Sequence, residues 1–192
     1  MRSVLILALF VAGLLACASK SHAQVFHSKE SALRLAFSEA DVIEPRDLFL
    51  SEAEAQHIGE LARAKQESRL VTVYVGKKKG ELLGYAYFDT HTIRTLPETI
   101  LVVIEPEGEL RAVHLLSFHE PPEYQPPPKW LGQFEDRALD ESLALQRGID
   151  GIAGSTLTAR AITAAVRRIL AVHEVKILGE ATAAKPKEQA GR

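Results

Sequence analysis

The most informative stretch of this chain is Asp150-Gly151-Ile152-Ala153-Gly154-Ser155-Thr156-Leu157-Thr158, which runs directly into a helical pattern. Apolar residues recur there at the three- and four-residue spacings of one helix face, namely Leu157, Ala161, Ile162, Ala165, Val166, Ile169 and Leu170. We expect the opposite face to carry Arg160, Thr163, Arg167 and Arg168. The pattern therefore predicts a glycine-containing loop followed by the first turn of a long helix.

Such a junction has two possible uses. The first turn of a helix leaves main-chain N–H groups without intrahelical acceptors and carries the positive end of the macrodipole, so it can hold a phosphate. A Gly-Ser-Thr sequence in this place can also be a plain N-cap, whose hydroxyl accepts from the second or third helical N–H. Local chemistry leaves both interpretations open.

The whole stretch resembles a known family motif. Asp150, followed by Ala153-Gly154-Ser155-Thr156 and then Thr158, is similar to Asp-x-x-Ser/Thr-Gly-Ala-Thr-x-Thr/Ser, the flavinylation motif of FMN-binding domains. These domains occur in the flavin subunits of the Rnf complex and of the sodium-pumping NADH:quinone oxidoreductase, in regulators of nitrous-oxide reduction, and in small exported proteins. The resemblance covers about half of the chain and is strongest over residues 150–161.

The resemblance implies FMN joined through its phosphate to the hydroxyl of Thr156. Asp150 is the motif acid, and we expect it either to act during attachment or to cap the loop backbone. Gly151 and Gly154 suit positions of close backbone approach or positive φ. The remaining cofactor-binding positions expected from the resemblance are Ser155, Leu157, Thr158, Glu120 and His91. The hydroxyls of Ser155 and Thr158 are expected to donate to phosphate oxygens, and Glu120 and His91 to line the flavin ring.

Two positions depart from the family pattern. Ala153 replaces the family's Ser/Thr, and Ser155 replaces its Ala. Ser155 is small enough to fit, but it places a second hydroxyl beside Thr156. The attachment atom is therefore less sharply defined by the sequence than the attachment itself.

The amino terminus predicts export. Residues 1–23 contain Arg2, an uncharged apolar run over 4–16 and a small-x-small cleavage site before Gln24, which is the pattern of a signal peptide. Cys17 is the single cysteine and offers a second route, a lipid anchor, so both processing routes stay open. A lone cysteine excludes an intrachain disulfide, a c-type haem and a cysteine-ligated iron–sulfur cluster. The formal charge of −2 gives no basic surface for nucleic acid.

The rest of the chain predicts a single α+β domain, a twisted and mainly antiparallel sheet flanked by helices. An N-terminal helical region is expected over 24–69, with helices at 28–40 and 51–65 separated by a break at 44–47. The FMN-binding domain is expected over 70–178 and a disordered tail over 179–192. Two hairpins are predicted, with a polar interruption at 89–96 between them.

The combined interpretation is an exported, periplasmic and membrane-associated flavoprotein that carries electrons through covalent FMN. It has no substrate of its own and no catalytic or metal-binding residues are assigned. The implied partners are an FAD-dependent flavin transferase, which modifies Thr156, and membrane or periplasmic redox proteins. Two alternatives stay open: a non-redox binding or structural module with the same fold, and a hydrolase whose nucleophile is Ser155 or Thr156. No Gly-x-Ser-x-Gly elbow supports the hydrolase.

Overall fold

The computed structural model describes residues 24–180. The predicted signal peptide and Cys17 lie outside these residues, as do positions 181–192 of the predicted tail. The strands are β1 (Gln24–Val25), β2 (Val42–Phe49), β3 (Leu70–Lys78), β4 (Glu81–Thr92), β5 (Pro97–Ile104) and β6 (Leu110–Phe118). The helices are α1 (Lys29–Ala36), α2 (Glu52–Ala62), α3 (Pro128–Leu131) and α4 (Thr156–His173), with 3₁₀ turns at Pro122–Tyr124 and Gly132–Phe134.

The six strands form one antiparallel sheet in the order β1-β6-β5-β4-β3-β2. Strands β2 to β6 are therefore a meander, and β1 adds to its far edge. The tight turn between β3 and β4 uses Lys79 and Gly80 at φ values of 51° and 86°, and left-handed residues of this kind match the twist of the flanking strands. The predicted α+β fold is confirmed.

Both faces of the sheet are covered. Helices α2 and α4 pack on one face, where the core includes Ile58, Val73, Tyr87 and Ile162. Helix α1 covers the other face through a smaller cluster: Ala32, Ala36, Phe37, Tyr74, Ala86, Leu101, Val103 and Leu116. Apolar burial on both faces explains why β5 ends in a continuous run of aliphatic residues, 100–104, which does not alternate with polar ones.

The prediction for the N-terminal region needs correction. Residues 24–69 contain strands as well as helices, because the predicted break at 44–47 is the middle of β2. β2 is an edge strand, and Pro45 lacks an N–H group, which an edge strand can spare on its free side. The predicted polar interruption also begins too early, because β4 continues through Thr92.

Helix α4 is buried on more sides than its apolar pattern predicts. Thr163 and Arg167, expected on the polar face, are 5% and 7% exposed, and Leu157, expected on the apolar face, is 46% exposed. The Arg167 guanidinium donates to the carbonyls of Leu61, Ala62, Asp140 and Leu143, so each of its three nitrogens has an acceptor although the residue is buried. α4 then continues as a π-helical turn, Glu174–Leu178, and helical structure reaches Glu180, two residues into the predicted tail.

Candidate functional site: the start of helix α4

The predicted loop and helix junction is present. Thr156 is the first residue of α4 and Ser155 is its N-cap. Gly154 has φ +78°, a conformation that residues with a Cβ rarely adopt, so a glycine is needed to turn the chain into the helix. The Ser155 N–H donates to the Ile152 carbonyl at 3.0 Å, and the Ala159 N–H donates to the Ser155 carbonyl at 3.1 Å, which starts the helix.

The three hydroxyls at this junction have different environments. Ser155 is 3% exposed, and its Oγ donates to the Glu123 carbonyl at 3.3 Å. Thr158 is 1% exposed, and its Oγ1 donates to the Tyr124 carbonyl at 2.9 Å. Thr156 is exposed, and its hydroxyl makes no hydrogen bond to any residue of the described chain. The fold therefore presents one of the three hydroxyls to solvent and uses the other two to attach the proline-rich loop to the helix.

Two of these hydroxyls have acceptors within the chain. A hydroxyl carries a single hydrogen. Ser155 and Thr158 each use theirs for a loop carbonyl, and their expected donation to a phosphate stays a prediction. The donors that remain are main-chain groups, because the N–H groups of Thr156, Leu157 and Thr158 have no acceptor within residues 24–180. With the helix macrodipole they give the first turn of α4 a positively polarised end.

Asp150 is held by its backbone and has a free side chain. The Trp130 indole donates to the Asp150 carbonyl at 2.7 Å, and the Asp150 N–H donates to Gln133 Oε1 at 2.9 Å. Trp130 itself packs edge to face on Phe134, with ring centroids 5.3 Å apart. The Asp150 carboxylate is exposed and bonds to nothing within residues 24–180. The sequence did not identify Trp130 and Gln133 as supports of the motif loop.

Glu120 holds a turn beside the site. Its Oε1 accepts from three consecutive main-chain N–H groups, those of Arg94, Thr95 and Leu96, at 3.1, 2.8 and 2.9 Å. The residue is 5% exposed. Burial alone would raise the pKa of Glu120, but the three N–H donors and the nearby Arg94 charge lower it overall. Glu120 is therefore an ionised carboxylate that orders the turn between β4 and β5.

This turn is connected to α4 through the proline-rich loop. The Arg94 guanidinium lies over the Tyr124 ring, 5.1 Å from its centroid. The Tyr124 carbonyl in turn accepts from Thr158. A continuous set of contacts thus joins Glu120, Arg94 and Tyr124 to the helix start. The ring of Tyr124 is the aromatic group that these contacts bring to the site.

His91 lies in a different network. Its Nδ1 is 2.7 Å from Asp89 and its Nε2 is 2.6 Å from Glu98, and Asp89 also pairs with Arg168 at 2.7 Å. Burial alone would lower the pKa of His91, but its two carboxylate partners raise it to about 9. Glu98 is fully buried, and this burial raises its pKa. Both ring nitrogens of His91 are therefore committed to carboxylates, and its predicted place along the flavin stays a prediction.

Three further aromatic and imidazole side chains have partners within the described chain. Tyr87 donates to or accepts from His173 Nδ1 at 2.9 Å, and Tyr85 packs against the same imidazole. His119 Nδ1 lies 3.0 Å from the Pro97 carbonyl. Within residues 24–180, no three His, Cys, Asp or Glu side chains converge as a metal site.

Residues 96–171 match the FMN-binding domain family. The match begins just before β5 and ends within α4, so it includes Glu120, Asp150 and Thr156. The predicted resemblance is confirmed by this match.

A curated relative supports the same assignment. The chain is 27% identical over 132 residues to a subunit of the Na⁺-translocating ferredoxin:NAD⁺ oxidoreductase complex of Acetobacterium woodii. The aligned part is 60% of this chain and 60% of the relative, so the chain spans well under the relative's full length. In the part of the chain that the structure describes, none of the helices has the length and apolar character needed to cross a bilayer.

Proposed function

We propose that this protein is an exported electron carrier whose FMN is joined by a phosphoester bond to the Thr156 hydroxyl. The observation that carries the proposal is the contrast among the motif hydroxyls: Thr156 is exposed and unbonded within the described chain, whereas Ser155 and Thr158 are buried and bonded to loop carbonyls. A modifying enzyme must reach the oxygen that it modifies, and Thr156 meets that condition.

The donors around Thr156 suit a phosphodiester. The N–H groups of Thr156 and Leu157, two exposed residues, can donate to the phosphate oxygens, and the macrodipole favours the negative charge there by about 0.3–1 kcal/mol. Gly154 adds no side chain, and a Cβ built on it would have no heavy atom within 4 Å, so the approach to the helix start is open. Leu157, 46% exposed, offers apolar surface next to the attachment oxygen.

The attachment reaction can be balanced without an oxidant. FAD is FMN joined to AMP through a pyrophosphate. The Thr156 oxygen would attack the phosphorus of the FMN half, forming the Thr156 O–P bond as the bond to AMP breaks. AMP leaves and the hydroxyl proton passes to a base. Asp150 is exposed and unpaired within residues 24–180, so it can take this proton or hold the divalent cation of the flavin transferase.

A covalent bond suits a carrier outside the cytoplasm. A flavin that dissociates there is lost, whereas a tethered flavin stays at a fixed effective concentration. Bound FMN supplies one- and two-electron redox chemistry. The chain's own residues supply three things: the attachment oxygen of Thr156, the turn that Glu120 orders, and the stacked Arg94 and Tyr124 side chains beside the helix start. The relative is named as a subunit of a ferredoxin:NAD⁺ oxidoreductase complex, so we propose membrane or periplasmic redox proteins as partners.

The deciding experiment is an intact-mass measurement. The chain is co-expressed with a flavin transferase in an exporting host, purified and denatured. We expect the mass of one FMN less one water on the wild type, together with a flavin absorption band that survives denaturation. Thr156→Val should abolish both, and Ser155→Ala, the matched control, should keep both. Colourless wild-type protein of unmodified mass would contradict the proposal. Loss of the FMN mass in Ser155→Ala but not in Thr156→Val would assign the attachment to Ser155 instead.

The same geometry disfavours a hydrolase. A serine or threonine nucleophile needs a base within hydrogen-bond reach. Ser155 donates to a main-chain carbonyl, and no His or carboxylate in the described chain bonds to Thr156. A serine-reactive phosphonate should therefore leave the protein unlabelled. A non-redox module would differ from the carrier in gaining no FMN under transferase co-expression.

A further inference from the structure

The sheet divides between β3 and β4. Their pairing ends at Val73 and Tyr87, although β3 continues to Leu70 alongside β2 and β4 continues to Thr92 alongside β5. The two strand ends diverge, and a cleft of about 860 Å³ opens between them. This volume lies in the range of ligand sites in proteins, about 300–1,000 Å³.

One side of this cleft is an open strand edge. Main-chain groups alternate sides along a strand, and the Ile93 N–H donates to Leu96 in the direction of β5, so the even-numbered residues of β4 point away from β5. The N–H and carbonyl groups of Thr90 and Thr92 therefore face the cleft. Both residues are exposed, and no strand within residues 24–180 pairs with them on that side.

The facing edge of β3 is closed at Leu70. The Ser68 hydroxyl donates to the Leu70 carbonyl at 2.6 Å and accepts from the Leu70 N–H at 3.2 Å, so it occupies both main-chain groups of this residue. The outer edge of β2 is also protected, because Pro45 lies in its middle and charged residues flank it. The open edge of β4 contrasts with both of these protected edges.

The cleft is more basic than acidic. Lys29 and Lys65 line the cleft and are exposed. The Lys29 ammonium lies 4.7 Å from the centroid of the Tyr74 ring. Lys65 has no ion-pair partner within residues 24–180. Arg168 and Asp89 neutralise each other at 2.7 Å. Glu67 is the remaining carboxylate on the walls. The two lysines therefore exceed the one carboxylate, and a guest with negative charge is favoured.

We infer that this cleft binds an extended acidic peptide segment of a partner protein, which adds as a short strand to the open edge of β4. The main-chain groups of Thr90 and Thr92 would supply the affinity that does not depend on sequence, and Lys29 and Lys65 would select acidic side chains. Six residues of β4, from Tyr87 to Thr92, line the cleft, and the five that follow Tyr87 lie beyond the pairing with β3, which sets the length of the guest. The inference does not depend on FMN, so it can fail while the proposed function stands.

The test uses the full chain and two peptides of equal length, fluorescein-Glu-Val-Glu-Val-Glu-amide and fluorescein-Lys-Val-Lys-Val-Lys-amide. We expect fluorescence anisotropy to detect the acidic peptide and not the basic one. Hydrogen exchange, followed by NMR, should slow at the amides of Thr90 and Thr92 when the acidic peptide is present. A version of that peptide N-methylated on alternate residues of its pairing edge should lose both signals, because it can no longer donate to β4.

Matched variants separate the cleft from general charge attraction. The double variant Lys29→Glu, Lys65→Glu should weaken the acidic peptide by about tenfold or more. Lys129→Glu, an exposed lysine outside the cleft, should leave it unchanged. Absence of binding, equal binding of both peptides, or an equal effect of Lys129→Glu would overturn the inference. A further result would also overturn it. If the amides of Thr90 and Thr92 are protected from hydrogen exchange without peptide, and lose that protection when residues 181–192 are removed, the chain's own tail fills the cleft.

Discussion

Replacing Glu120 by glutamine tests whether this buried carboxylate organises the site through its charge. Glutamine keeps the shape and one acceptor oxygen, so the three N–H donors of Arg94, Thr95 and Leu96 still find a partner. A hydrogen bond to a charged group contributes about 1.5–3 kcal/mol and one to a neutral group about 0.5–1.5 kcal/mol. Three bonds share one oxygen, so we expect Glu120→Gln to lower the free energy of unfolding by about 2–3 kcal/mol. For a chain of this size the melting temperature falls by about 4–12 °C.

The effect of Glu120→Gln on the free energy of unfolding should depend on pH. The pKa of Glu120 in the folded protein is lowered from its ordinary value of 4.5, so its ionised form stabilises the fold at neutral pH. That contribution is complete above the unfolded pKa and disappears as the pH falls through the folded one. The difference in unfolding free energy between wild type and Glu120→Gln should therefore be largest near neutrality and shrink in acid.

Urea unfolding followed by circular dichroism measures this difference at a series of pH values. Glu123→Gln is the matched control, because it removes the same charge from an exposed side chain of the same loop. We expect the control to stay within about 0.5 kcal/mol of the wild type. Equal stabilities of the two variants at neutral pH would refute the reasoning. If Glu120→Gln lowers the free energy of unfolding by the same amount in acid as at neutral pH, the shape of the side chain and not its charge accounts for the stabilisation.

Three further substitutions test the supports of the site. Thr158→Val should cost about 1–3 kcal/mol in urea unfolding, because the Tyr124 carbonyl loses its donor, while the denatured protein should still carry FMN by intact mass. Arg167→Leu should cost at least about 3 kcal/mol, since it leaves four buried or partly buried carbonyl contacts unmade; a loss below about 1 kcal/mol would contradict this. Gly154→Ala should cost about 1–2 kcal/mol because of its positive φ, whereas Gly151→Ala, which has open space around it, should be near neutral by thermal unfolding.

The sequence was most informative where a pattern is local. The hairpin through Lys79 and Gly80 and the long helix after Ser155 follow from turn chemistry and periodicity, and both are present. The strand β2 was missed because Pro45 is locally a breaker, and its tolerance depends on the strand being at an edge. Arg167 was placed on the solvent face because its acceptors Leu61 and Ala62 lie more than a hundred residues earlier in the chain.

The same limit explains what the sequence could not say about the motif. Local chemistry does not distinguish the hydroxyls of Ser155, Thr156 and Thr158. Two of them are bonded to carbonyls 32 and 34 residues upstream in the proline-rich loop, and this is what leaves Thr156 as the unbonded one. Those contacts also account for the departures from the family pattern. The hydroxyl of Ser155, where the family has Ala, donates to the Glu123 carbonyl and so attaches the proline-rich loop to the start of α4. Ala153, where the family has Ser/Thr, is exposed, so the missing hydroxyl leaves no buried partner unsatisfied. Both departures are thus compatible with a motif whose one accessible hydroxyl belongs to Thr156, which is why we expect Ser155→Ala to keep the proposed flavin.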